Sequence, residues 1–190
     1  MRMATTPVWA LIGLLPLLLA PHSASAGPLE DDVLAELNFA RAHPAQYARE
    51  LRRSDLRHND PDALDEAVDF LMNQPPLPPL RAHPGLTAAA DAHARTQAQR
   101  GGEGHGREAL GQRLQRHGVW AGLSAEAISY GYDDPRDVVA QLVIDSGVPG
   151  RGHRKDIFRR SYQAAGVACN GHRTYGAMCV IDYAGAFVER

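Results

Sequence analysis

Near the C-terminus the sequence runs GVACNGHRTYGAMCVIDYA, residues 166–184, and a segment of this kind admits few structures. Two apolar runs, 165–168 and 178–183, read as strands, with Asn170, Gly171 and Gly176 between them as turn formers. Pairing centred on Thr174 sets Cys169 opposite Cys179, the only two cysteines of the chain. In an oxidising compartment such a pair closes as a disulfide. A cysteine nucleophile is the rival reading, but a lone pair in an exported chain usually forms a bridge.

The residues ahead of this hairpin are patterned for helices. In 29–42, Leu29, Val33, Leu37 and Ala40 form an apolar stripe at helical spacing. Pro44 interrupts it and AQYAREL resumes as a second helix; 62–72 fits a third. NQPPLPPL forces an extended connector, because prolines cannot occupy a helix interior. Beyond it, HPGLTAAADAHARTQAQRGG puts Leu86, Ala89, Ala90, His93 and Ala94 on one side, with glycines to end the helix. His93 on that inward side reads as a core histidine held by one hydrogen bond. Residues 107–117 are expected to be helical, with Leu110 and Leu114 four apart. Asp134-Pro135 opens another helix as N-cap and first residue, with Val138, Val139, Leu142 and Val143 as its stripe and Gly147 as its end. Asp145 then lies about 20° from Val138 around an ideal helix, so its carboxylate is expected on the buried side.

Residues 1–26 have the form of a secretion signal: Arg2, an apolar run from Val8 to Ala20, and Ala24-Ser25-Ala26 as the cleavage site. The run is shorter than the ~20 residues that span a bilayer. Residues 27–190 are expected to form a single domain with no membrane span, secreted or held in the periplasm or cell envelope. A formal charge of −2 gives no electrostatic footprint for nucleic acid. Arginine nearly replaces lysine, and Lys155 is the only lysine.

Four ionisable residues stand at edges between loops and regular elements: His105 in EGHGRE, Glu126 in SAEAISYG, Asp145 in VIDSG and His153 in GRGHRKD. With Asn38, Arg41 and Pro44 in an Asn-x-x-Arg-x-x-Pro pattern, AEAISYG near a Gly-Glu-Asn-Ile segment, and GHRKDI near Gly-His-Arg-x-Asn-Ile, the chain resembles the CAP superfamily. These are the cysteine-rich secretory, antigen-five and pathogenesis-related proteins, and the likeness is to the bacterial secreted branch of their SCP domain. It runs from about Leu29 to Ala184. The resemblance implies an α+β fold, a three-layer α-β-α sandwich with a small antiparallel sheet, and one open cleft lined by two histidines and two acids. His105, Glu126 and His153 match three of these, and Asp145 takes the place of a glutamate. Gly106, Ala125, Ala127, Leu142 and Asp156 depart from the usual residues.

Three functions suit such a cleft. His105 and His153 with a carboxylate and water could hold zinc or another divalent metal. Glu126 or Asp145 could activate water in metal-assisted or acid–base hydrolysis of a peptidase-like kind, although the chain has no Gly-x-Ser-x-Gly elbow and no His-Glu-x-x-His helix. The leading reading is non-enzymatic: a polar network shapes the cleft of a binding module for a small apolar ligand, a lipid or an extracellular protein.

Overall fold

The computed structural model describes residues 27–58 and 60–189. Residues 1–26, read above as a secretion signal, lie outside these residues. The chain runs α1 (Pro28–Ala42), α2 (Pro44–Leu51), a 3₁₀ turn (Asp55–His58), α3 (Pro61–Asn73), β1 (Arg81–Ala82), α4 (Pro84–Arg100) and α5 (Leu110–Arg116). It continues β2 (Val119–Ala121), β3 (Ser124–Tyr130), α6 (Pro135–Ile144), α7 (Gly152–Ile157), β4 (Ala164–His172), β5 (Gly176–Ala184) and β6 (Phe187–Glu189). Helices α1, α2, α3, α4 and α6 each open on a proline, whose missing N–H would be unpaired there in any case. Asp60 and Asp134 cap α3 and α6, accepting from Ala63 N at 3.0 Å and Arg136 N at 2.9 Å.

The central sheet has the order β1-β4-β5-β3. Strands β4, β5 and β3 are antiparallel, and short β1 joins the edge in parallel with β4. β2 and β6 form a separate two-stranded ribbon. Alternate side chains divide the sheet between two helical layers. Ala127, Ala165, Val167, Ile181 and Tyr183 pack with Val33, Leu37, Leu71, Val139 and Ile157 from α1, α3, α6 and α7. Ile128, Ala168, Met178 and Val180 pack against Ala90 and Ala94 of α4, and Ala164 and Ala184 against Leu86 and Leu114. The result is the expected α-β-α sandwich.

Helix α4 approaches β4 closely enough to exclude any side chain at Gly166. A Cβ there would stand 2.0 Å from the Thr87 nitrogen and 2.2 Å from the Leu86 carbonyl carbon.

The C-terminal hairpin forms in the register centred on Thr174, with Cys169 facing Cys179 and a disulfide between them. Removing it with Cys169→Ser and Cys179→Ser is expected to lower stability by about 2–3 kcal/mol through the lost loop constraint. Urea denaturation of oxidised wild type against the double variant measures this; coincident curves would refute it.

The Asn-x-x-Arg pattern has a structural cause. Asn38 brackets Leu80, donating to its carbonyl at 3.0 Å and accepting from its N–H at 2.7 Å. Arg41, buried, donates to the Pro78 carbonyl from Nε and Nη2. Together they fasten the proline connector to α1 and supply donors that its prolines lack.

Two helix boundaries differ from the sequence reading. Helix α5 starts at Leu110 instead of 107, with extended Ala109 as its N-cap. Helix α6 ends at Ile144, before Gly147: Asp145 itself takes the left-handed conformation (φ 58°) that stops the helix. Asp145 is buried as expected, yet the helical projection is not the reason, since the residue has left the helix. Aspartate is among the few non-glycine residues that tolerate this conformation.

A candidate binding site at His105

The loop after α4 presents His105, and its shape depends on contacts far away in sequence. Gly101 turns left-handed (φ 66°) to end α4, and its carbonyl accepts from Thr174 Oγ1 at 3.0 Å. His172 Nε2 donates to the Gly102 carbonyl at 2.9 Å. The Tyr130 hydroxyl accepts from Gly104 N at 2.9 Å, and Gln97 and His93 donate to the Gly104 carbonyl at 2.7 and 3.1 Å. The tip of the disulfide-bridged hairpin and the last turn of α4 therefore hold the loop from both sides. His93 is the hydrogen-bonded core histidine expected, and burial pushes its pKa down.

The loop places His105 Nδ1 2.8 Å from Glu126 Oε1. The imidazole is 64% exposed and the carboxylate 2%. Glu126 lies on β3 directly opposite Asp182 on β5, both turned toward the α4–α5 layer. Arg113 of α5 bonds the second oxygen of Glu126 and reaches Asp182 Oδ1 at 3.3 Å, so one buried guanidinium serves two buried carboxyls. Burial pushes the Asp182 carboxyl well above its ordinary value, and the neighbouring Glu126 adds to this against Arg113. Burial would also raise Glu126, but the His105 bond and Arg113 outweigh it and hold the group below its ordinary value. His105 is raised by the bond from Glu126.

The fold thus holds the His105 proton more tightly than the unfolded chain. Any stabilisation from it is complete below the unfolded pKa, near 6.5, and fades as pH rises through the folded value. NMR titration is expected to find His105 above, and His93 below, an unperturbed histidine. Glu126→Gln should return His105 toward the ordinary value; a curve unmoved by that change would disprove the assignment.

Asp145 and His153, expected in one cleft with His105 and Glu126, instead pair with each other in the opposite layer. Asp145 Oδ1 lies 2.8 Å from His153 Nδ1, and its Oδ2 accepts from the backbone N–H groups of His153 and Arg154 at 3.0 and 3.3 Å. Arg154 is buried, donates to the Val143 and Ile144 carbonyls at 2.6 and 2.8 Å, and stacks on Phe70. The histidine and arginine of GHRKDI thus bind the start of α7 to the end of α6, satisfying carbonyls a helix end leaves open. Ile157 and Phe158 are buried behind them.

The four predicted residues therefore come together two by two. Among the described residues no hydrogen bond or ion pair joins His105–Glu126 to Asp145–His153. Among them, too, no group of three or more His, Cys, Asp and Glu side chains could hold a metal ion. Each imidazole has its own carboxylate on Nδ1, and the arrangement does not fit a shared zinc site.

Two of the hollows among the described residues bear on these pairs. One of about 390 Å³ has His105 in its wall, with Arg113, Gln97 and His93 beneath. The other, about 620 Å³, lies between α3 and the loop into α7, where Glu66, Phe70, Arg151, Arg154 and Lys155 line it. The larger one contains none of the four predicted residues.

The sequence profile of the cysteine-rich secretory protein family matches residues 55–183, more than half of the chain. This protein belongs to the CAP family. No curated protein matches it. Solved structures similar to this CAP protein include an extracellular SCP-domain protein from Bacillus anthracis (17% identity, 69% of this chain and 43% of that one, TM-score 0.48). An outer surface protein from Borrelia burgdorferi is similar at 13% identity, over 70% of this chain and 94% of that one, TM-score 0.47. A cysteine-rich secretory protein from Staphylococcus aureus is similar at 15% identity, over 68% and 40%, TM-score 0.46. The first and third are matched over less than half of their own length.

Arg113 and Asp182 were not among the residues expected at the site. Asp182 carried a signal, an acid sharing a strand face with Met178 and Val180; Arg113 carried none, because an arginine on a short helix reads as a solvated one.

Proposed function

We propose that this CAP protein is exported and acts as a non-enzymatic binding module, with the hollow at His105 as its ligand site. The observation that carries the reading is the division of labour within the His105–Glu126–Arg113–Asp182 network. Its carboxyls are buried and engaged with one another's partners, while a single imidazole, fixed through Nδ1, offers Nε2 to solvent. Hydrolysis needs a free carboxylate or a nucleophile beside that imidazole. Glu126 is held between His105 and Arg113, Glu108 is engaged by Arg116, and the one hydroxyl of the lining, Thr96, donates to the Ala92 carbonyl. Export is supported by the form of residues 1–26 and by the disulfide.

Hydrolysis remains the second reading because a carboxylate on Nδ1 is also how a histidine base is oriented. Screening peptide and ester libraries for turnover, and small ligands for perturbation of the His105 resonance, separates the two. Ligand-dependent shifts without turnover are expected. Turnover abolished by Glu126→Gln would replace the binding reading with an enzymatic one.

A further inference from the structure

The arginines around the His105 hollow are unequal in their commitments. On α5, Arg116 binds Glu108, and Arg113 binds Glu126 and Asp182. Arg100, at the end of α4, and Arg107, in the loop after His105, also line the hollow, and among the described residues neither has an acidic partner. The floor is unfinished too. Arg113 is only 2% exposed, yet its Nε has no hydrogen-bond partner. Buried donors are nearly always satisfied, and this one belongs to a residue that lines the hollow, although the Nε atom itself is closed off from solvent.

Charge within the cavity departs from that of the chain. Its lining carries four arginines against a single acid, Glu108, which Arg116 engages, while the protein as a whole carries a formal −2. Glu126 behind the wall is shared between His105 and Arg113, and Glu103 is bonded to the Tyr175 hydroxyl. Two guanidiniums without acidic partners and the exposed His105 imidazole therefore line one concavity without a matching negative group. Guanidinium forks suit the paired oxygens of phosphate and carboxylate. Ala92 is the one apolar side chain of the lining.

We propose that the hollow at His105 binds a small oxyanion, the phosphate or carboxylate group of its ligand, with Arg100 and Arg107 as the principal charge partners. This rests on the binding reading given above and specifies its ligand class.

The test follows the His105 ring resonances of the full mature chain during titration with inorganic phosphate, with acetate, and with the uncharged probes glucose and 1-hexanol. Saturable shifts with phosphate or acetate are expected, with apparent affinity at least about tenfold weaker in the double variant Arg100→Gln/Arg107→Gln. Both side chains are exposed, so the double variant should fold as wild type does. Equal affinity in wild type and variant would overturn the assignment. A response to the uncharged probes alone would overturn the oxyanion while leaving the His105 hollow as a binding site; a response to neither kind would remove both. Co-sedimentation with phosphatidylglycerol and phosphatidylcholine vesicles identifies the source of the anion. Arginine-dependent binding to the former alone indicates a lipid head group, and binding to free phosphate without either vesicle indicates a soluble ligand; each supports the proposal.

Discussion

Replacing Arg113 with methionine is expected to destabilise the protein by about 3–5 kcal/mol, because it removes the guanidinium that two buried carboxyls share. Among the described residues Arg113 is the only guanidinium bonded to Glu126 or Asp182, and both carboxyls are buried. Methionine fills much of the volume but offers neither charge nor donor. The loss belongs to the acids left behind, so further substitution of Glu126→Gln and Asp182→Asn should recover a large part of it. Chemical denaturation of the single and triple variants measures both changes. A single variant within about 0.5 kcal/mol of wild type, the range of ordinary surface substitutions, would show that the cluster does not depend on this side chain.

The two acids differ in their response to pH. Asp182, with its folded pKa raised, contributes most below its unfolded value, near 3.9, and loses that contribution as pH rises through the folded one. Glu126, with its folded pKa lowered, contributes above its unfolded value, near 4.3, and loses that as pH falls. Asp182→Asn should therefore compare more favourably with wild type at pH 7 than at pH 4. The opposite order in denaturation midpoints would contradict the assigned direction.

Gly166→Ala is expected to have the other large effect, a loss of about 3 kcal/mol or more, at the top of the range for overpacking. Most overpacked sites find relief in a rotamer change. Here the new methyl would meet the Thr87 nitrogen and Leu86 carbonyl carbon, both main-chain atoms of α4, so the helix as a whole must lift from β4. Gly111→Ala in α5 is the control, since nothing lies within 4 Å of its added Cβ. That change should stabilise by about 0.5–1 kcal/mol through helix preference and a less flexible unfolded chain. Thermal or urea unfolding of the two variants side by side decides the matter, and equal effects of the same sign would disprove the close-approach argument.

What could be read from the sequence was what local chemistry dictates. The stripe Val33–Leu37–Ala40, the Asp134-Pro135 opening of α6, the proline connector and the register of the cysteines each depend on neighbours a few residues away, and each appears in the structure. Helix ends were harder, because α6 stops at an aspartate in a conformation usually left to glycine. The pairing of His105 with Glu126 joins a loop to a strand, and the loop owes its shape to Thr174 and His172 some seventy residues away. Periodicity carries no trace of such contacts. The same limit explains why His153 and Asp145 were grouped with His105: all four stand at similar element edges, but which layer each edge belongs to is settled by the sheet.

A slide of β3 by one residue against β5 would turn Glu126 from Arg113 into the layer where Ala127 packs among Val139, Val143 and Ile157. The buried guanidiniums of that layer, Arg41 and Arg154, are already held by main-chain carbonyls, so the penalty for an under-paired buried carboxylate would fall on every misaligned form of the sheet edge. Opposed acids gripping a single arginine therefore act as a notch that only one alignment of the strands can engage, a safeguard against mispairing while the domain assembles.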